Sequence, residues 1–165
     1  MSTADARPPA ALRIDGPPPH LLVVRAPYYT EVVDGLRDGA ARILHGAGAS
    51  FEVLDVAGAL ELAGAVQLAV RGTRAYDGYV ALGCVVRGET DHYEYVCREA
   101  MAGLTQVALQ SALCLGNGLL TVDRLEQALA RSVPPDGDSA GPNKGTEAAA
   151  AALLQIRAAR WLGAV

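Results

Sequence analysis

His92 closes the segment Gly88-Glu89-Thr90-Asp91-His92, directly after the apolar run Tyr79 to Val86 and ahead of a long helical stripe. Where a strand turns through a glycine into a helix, the unpaired N–H groups of the helix start attract an anion such as phosphate. A histidine in the first helical turn would carry protons beside that anion. The segment matches neither a P-loop nor a dinucleotide fingerprint, which argues against ATP and NAD. The plainer alternative is an ordinary strand-to-helix turn with a packing or capping histidine.

Other residues that could do chemistry recur at comparable junctions. Glu61 follows Ala59-Leu60 at the start of a helical stripe, where it can either hold a ligand hydroxyl or simply answer the helix dipole. Tyr28 and Tyr29 offer an aromatic plate or an exposed loop. Asn117 is an amide between two glycines. Arg131 can reach an anion or the last carbonyls of its own helix, and Asn143-Lys144-Gly145 reads as an N-cap followed by a lysine.

These residues need a scaffold. At 165 residues with 51% hydrophobic content, the chain supports one domain with a single core. A net charge of -4, with no run of Lys and Arg, leaves no footprint for nucleic acid or an anionic membrane. Cys84, Cys97 and Cys114 lie in apolar segments without the spacing of a zinc site or a disulfide framework, so no metal is expected. The N-terminal residues lack a signal peptide's charged start and apolar run, and no apolar stretch is long enough to span a bilayer. A cytoplasmic address is expected.

Residues 1–19 are Pro- and Ala-rich and are expected to form a flexible arm, with residues 20–165 as one α/β domain. Leu21 to Val24 reads as a strand covered on both faces, Thr30 to Leu44 as a helix with Thr30 as N-cap, and Phe51 to Val56 as the second strand. A helix from Leu60 to Val70 precedes the third strand, Tyr79 to Val86, and a helix from His92 to Ala112. Leu113 to Leu120 is a fourth apolar run, broken by Gly116-Asn117-Gly118. Helices over Val122 to Ser132 and Lys144 to Leu162 follow, on either side of a Pro- and Gly-rich loop. The alternation calls for a flavodoxin-like three-layer sandwich, a four-stranded parallel sheet with helices on both faces. Ligands of such sheets bind beyond the carboxyl ends of the strands, and Tyr28, Glu61, His92 and Asn117 are all expected on that rim.

Taken in order, four blocks of this sequence resemble the lumazine synthase family of riboflavin biosynthesis. They are Gly58-Ala59-Leu60-Glu61, Ala81 to His92, Leu120-Thr121-Val122-Asp123-Arg124-Leu125-Glu126-Gln127-Ala128, and Asn143-Lys144-Gly145-Thr146-Glu147-Ala148-Ala149. The resemblance implies condensation of 5-amino-6-(D-ribitylamino)uracil with 3,4-dihydroxy-2-butanone 4-phosphate to 6,7-dimethyl-8-ribityllumazine, phosphate and water, with no cofactor. By the same resemblance Tyr28, with Tyr29 as fallback, stacks on the pyrimidine, and Ala59, Leu60 and Glu61 bind the ribityl chain. Cys84, Val85 and Val86 read the uracil edge through their backbone, while Gly88, Glu89 and Thr90 bind phosphate. His92 transfers protons. Asn117 stands where many members carry a phenylalanine, and Arg131 and Lys144 supply a neighbouring subunit's positive charge.

The resemblance also implies a homopentamer with active sites between subunits, the N-terminal arm adding a strand to the adjacent sheet. Val133 to Pro142 is longer than the connection of members that assemble icosahedral shells, and a free pentamer is expected. A non-catalytic flavin- or lumazine-binding ring of the same fold is the alternative, and a flavodoxin-like nucleotide carrier a further one suggested by the sheet alone.

Overall fold

The chain is described as a computed structural model over residues 12–134 and 143–164. Strands and helices alternate as β1 (His20–Ala26), α1 (Thr30–Gly46), β2 (Ser50–Asp55), α2 (Glu61–Arg71), β3 (Gly78–Val86), α3 (His92–Gln110) and β4 (Leu115–Val122), followed by α4 (Leu125–Leu129) and α5 (Lys144–Trp161). The four strands are parallel, in the order β2-β1-β3-β4. This is the expected α/β sandwich.

Successive strand residues face opposite layers, which explains why β1 and β3 read as continuous apolar runs. Leu21, Val23, Val80, Leu82 and Cys84 pack with α1 and α5, whereas Leu22, Val24, Ala26, Tyr79 and Ala81 pack with α2 and α3. No helix among the described residues is long and apolar enough to cross a membrane.

The sequence reading is corrected at four places. The expected break at Gly116-Asn117-Gly118 is absent, because β4 runs through it. A Cβ on Gly116 would strike the Ala148 carbonyl, so glycine here admits α5 against the sheet. Val122 ends β4, and α4 is the short stretch from Leu125 to Leu129. Thr30 is the first residue of α1 with Tyr29 at the N-cap, and the Thr30 hydroxyl donates to the Pro27 carbonyl at 3.1 Å. Finally, from Leu12 onward the expected arm docks on its own domain. Leu12 is buried, Ile14 packs beside it, and Arg160 Nη1 donates to the carbonyls of Asp15 (2.6 Å) and Pro17 (2.9 Å). Residues 1–11 and 135–142, with most of the loop expected to limit assembly, lie outside the described residues.

Candidate active site

Beyond the carboxyl ends of β1, β2 and β3 lies a cleft of about 330 Å³. Tyr28 and Tyr29 form one wall, the turn Gly58-Ala59-Leu60 with Glu61 the opposite one, and Cys84, Val85 and Val86 the floor, while His92 and Val96 close it from α3. Pro27 turns β1 outward before α1 begins, which brings both tyrosines to the rim. Their rings meet edge to face at 5.1 Å.

The two tyrosines divide their work by burial. Tyr28 is 77% exposed, while Tyr29 packs partly into the α1–α5 core. Burial pushes the Tyr29 phenol above its ordinary pKa, with Cys84 and Tyr28 adding to it. Tyr28 therefore keeps a face free for stacking on a flat ring.

Glu61 opens α2, where the helix dipole favours its carboxylate, and it is exposed. Its Oε2 lies over Gly58, 3.1 Å from where a Cβ would stand. On the floor, burial pushes the Cys84 thiol up to about 11, helped by Cys97, so Cys84 stays a protonated apolar group rather than a nucleophile. Val85 and Val86 end the strand half-buried, their backbone at the cleft.

His92 is the first residue of α3 and is exposed at the cleft. The helix start is held from outside the cleft. Arg87 reaches Glu94 (2.8 Å) and Asp123 (2.9 Å), lies 4.2 Å over the Tyr93 ring, and donates its backbone N–H to the Val122 carbonyl at 2.9 Å. Those carboxylates raise the Arg87 pKa further. Gly88, Glu89 and Thr90 form an exposed turn above this clamp and do not line the cleft. Space around Gly88 is open.

A second hollow, about 440 Å³, opens along the free edge of β4 and is lined by Asn117, Thr121, Arg131, Lys144 and Glu147 among others. It shares no residue with the cleft. Asn117 pairs in register with Ala81, well before the strand end, so it is not on the rim with Tyr28 and His92 as expected. Its Oδ1 accepts from Leu119 N–H at 2.9 Å and its Nδ2 lies 3.1 Å from Met101 Sδ.

Arg131 donates through Nη1 to the Gln127 carbonyl at 2.8 Å, the local role open to an arginine near a helix end. Lys144 pairs with Glu147. The two cations are joined through the backbone, Lys144 N–H donating to the Arg131 carbonyl at 2.8 Å. Asn143 secures this junction. It caps α5 by accepting from Thr146 N–H at 3.1 Å and donates to the carbonyls of Gly35 and Val133, each at 2.8 Å. Two cations at the start of a long helix make a surface suited to an anion.

Tyr28, Ala59, Leu60, Glu61, Cys84, Val85, Val86 and His92 thus come together, and Asn117, Arg131 and Lys144 gather elsewhere. Gly58 and Val96 also line the cleft; Gly58 stands in one of the resembling blocks, but neither residue carries a site role in the sequence reading. Val96 lies one helical turn beyond His92, and that spacing was the available signal. Among the described residues no group of three or more His, Cys, Asp or Glu side chains is placed to hold a metal ion.

Known proteins match this chain over nearly its whole length. The family described as 6,7-dimethyl-8-ribityllumazine synthase matches residues 18–160. A 6,7-dimethyl-8-ribityllumazine synthase 1 of Rhizobium meliloti (strain 1021) is 43% identical over 151 residues, covering 89% of this chain and 95% of the relative. The 6,7-dimethyl-8-ribityllumazine synthase of Agrobacterium fabrum (strain C58) is 44% identical over 149 residues, covering 88% and 97%. That of Bartonella tribocorum is 42% identical over 145 residues, covering 88% and 93%.

Proposed function

This chain belongs to the 6,7-dimethyl-8-ribityllumazine synthase family, and we propose that its two hollows are halves of one active site, completed between neighbouring copies. The protein is a transferase of riboflavin biosynthesis. It joins 5-amino-6-(D-ribitylamino)uracil to 3,4-dihydroxy-2-butanone 4-phosphate, giving 6,7-dimethyl-8-ribityllumazine, phosphate and water.

The observation that carries the shared site is the separation of the two sets of groups. The aromatic plate and the histidine line the cleft, and the paired cations Arg131 and Lys144 line the other hollow beside β4. A phosphorylated ketone reacting with an aryl amine needs both. In this reading Tyr28 stacks on the pyrimidine and Glu61, with the Ala59 and Leu60 backbone, holds the ribityl hydroxyls. The backbone of Cys84, Val85 and Val86 reads the uracil edge. Gly88, Glu89 and Thr90 face the phosphate, which Arg131 and Lys144 of the adjoining copy neutralise, and Asn117 of that copy borders the ring.

Holding amine and ketone at contact distance supplies much of the rate, because an encounter becomes an intramolecular step. The amine adds to the carbonyl and water leaves to give an imine. The carbon between the imine and the phosphate-bearing carbon then gives up its proton as phosphate departs with the C–O bonding pair, its charge met by the turn and the cations. The enol left behind tautomerises to a ketone that the second amine can attack. The second amine closes the ring with loss of water. His92 moves protons in these steps, a contribution of about 100-fold or more.

Steady-state kinetics with each substrate varied in turn test these roles, read by lumazine fluorescence and released phosphate. His92→Ala lowers kcat about 100-fold with both KM values little changed. Arg131→Ala acts chiefly on the KM for the butanone phosphate. Unchanged kinetics in both variants would overturn the assignment.

The assembly we propose is a free homopentamer in the cytoplasm. Five copies of a 17.1 kDa chain make a particle of about 86 kDa by light scattering, and a particle near a megadalton would refute it.

A further inference from the structure

The two walls of the cleft leave the sheet from adjacent strand ends, and one side chain lies between them. Arg25 is the penultimate residue of β1, just before Ala26-Pro27-Tyr28-Tyr29, while Asp55 is the last residue of β2, just before Val56-Ala57-Gly58-Ala59. Arg25 Nε and Nη2 donate to the two carboxylate oxygens of Asp55, each at 2.8 Å. Nη1 donates to Asp34 of α1, also at 2.8 Å. The Arg25 carbonyl accepts from Val56 N–H at 2.8 Å, so backbone and side chain hold the same strand end.

An exposed ion pair between flexible side chains fixes little. This one differs in that the Arg25 side chain is only 11% exposed and its planar fork is filled on both sides. The Asp55 carboxyl is held below its ordinary pKa first by that hydrogen bonding, and the Arg25 pKa is raised in return. One guanidinium therefore ties β1, the end of β2 and the first turns of α1, the three pieces of backbone from which the tyrosine wall and the Ala59–Glu61 wall issue.

We propose that Arg25 is a positioning residue for the ring-and-ribityl half of the site, its fork to Asp55 and Asp34 setting the gap between Tyr28 and the Gly58–Glu61 turn. The inference rests on the substrate placement proposed above. A displaced wall weakens the contacts made by the pyrimidine substrate and leaves the phosphate side untouched.

The test is the KM for each substrate in Arg25→Met, Arg25→Lys, Asp55→Asn and Tyr28→Ala, with Asp38→Asn as a control that removes a carboxylate paired to Arg37 in the same charged cluster. Asp55→Asn and Arg25→Met raise the KM for the ribitylaminouracil about tenfold, with the KM for the butanone phosphate within about twofold. Arg25→Lys, which keeps the charge but not the fork, recovers part of the loss, and Asp38→Asn changes neither KM. Should Arg25→Met fail to fold, Asp55→Asn decides alone. An equal rise in both KM values, or no rise in Asp55→Asn while Tyr28→Ala raises the KM for the ring substrate, overturns the role of Arg25. If Tyr28→Ala itself leaves that KM unchanged, the substrate placement is what fails.

Discussion

Burial decides what individual side chains at the cleft can do. Tyr28 and Tyr29 are neighbours of one type, yet one presents a free ring and the other is partly core, and neither composition nor spacing distinguishes them. Cys84 is the sharper case, because burial pushes its thiol up to about 11 from an ordinary value of 9.0. Between those values the unfolded chain loses the proton first and the folded chain retains it. Stability from this group is thus intact below pH 9 and lost as pH rises toward 11. Urea midpoints taken from pH 8 upward should fall more steeply in the wild type than in Cys84→Ala. Parallel curves would show that the thiol is not held in its neutral form by the fold. Part of the alkaline loss persists in the variant, since burial also raises the pKa of Tyr29, Tyr79, Cys97 and Cys114.

At the scale of elements, close helix approach positions the cationic hollow. A Cβ on Gly145, at the start of α5, would enter the Leu36 carbonyl of α1, whereas one on Gly64 of α2 would meet nothing. Gly145→Ala should cost about 1–3 kcal/mol through overpacking and, by displacing Lys144, raise the KM for the phosphorylated substrate. Gly64→Ala should instead stabilise by about 0.5–1 kcal/mol through helix propensity. Denaturant unfolding of both variants checks the contrast, and similar effects in the two would contradict it. The same physics limits what could be read from the sequence. β1 and β3 were legible because burial on both faces leaves an unbroken apolar run, and Asn143 was legible as a cap because capping is local. The glycines of β4 read as a break in sequence because their reasons lie in distant packing, the Ala148 carbonyl of α5 at Gly116 and the Leu82 side chain with Ala148 Cβ at Gly118. The docking of residues 12–19 was missed because it depends on Arg160 at the other end of the chain.

For the whole molecule, the chemistry-bearing residues named in the sequence fall into two hollows and the exposed turn Gly88-Glu89-Thr90 rather than one rim, and Asn117 marks the division. The strand-end rule located Tyr28, Glu61 and His92, but it could not place Arg131 and Lys144, whose position depends on the Asn143 junction and on the edge of β4. The central claim is that His92 of one copy works with Arg131 of the next. Mixing separately inactivated chains tests it most directly. His92→Ala and Arg131→Ala proteins, each weakly active alone when the butanone phosphate is held well below the KM of Arg131→Ala, are unfolded together at equal concentration and refolded. Half of the junctions then receive an intact His92 and half an intact Arg131, independently, so the mixture should recover about a quarter of wild-type activity. Activity no higher than the mean of the two variants refolded separately would place both groups in one chain and contradict the account.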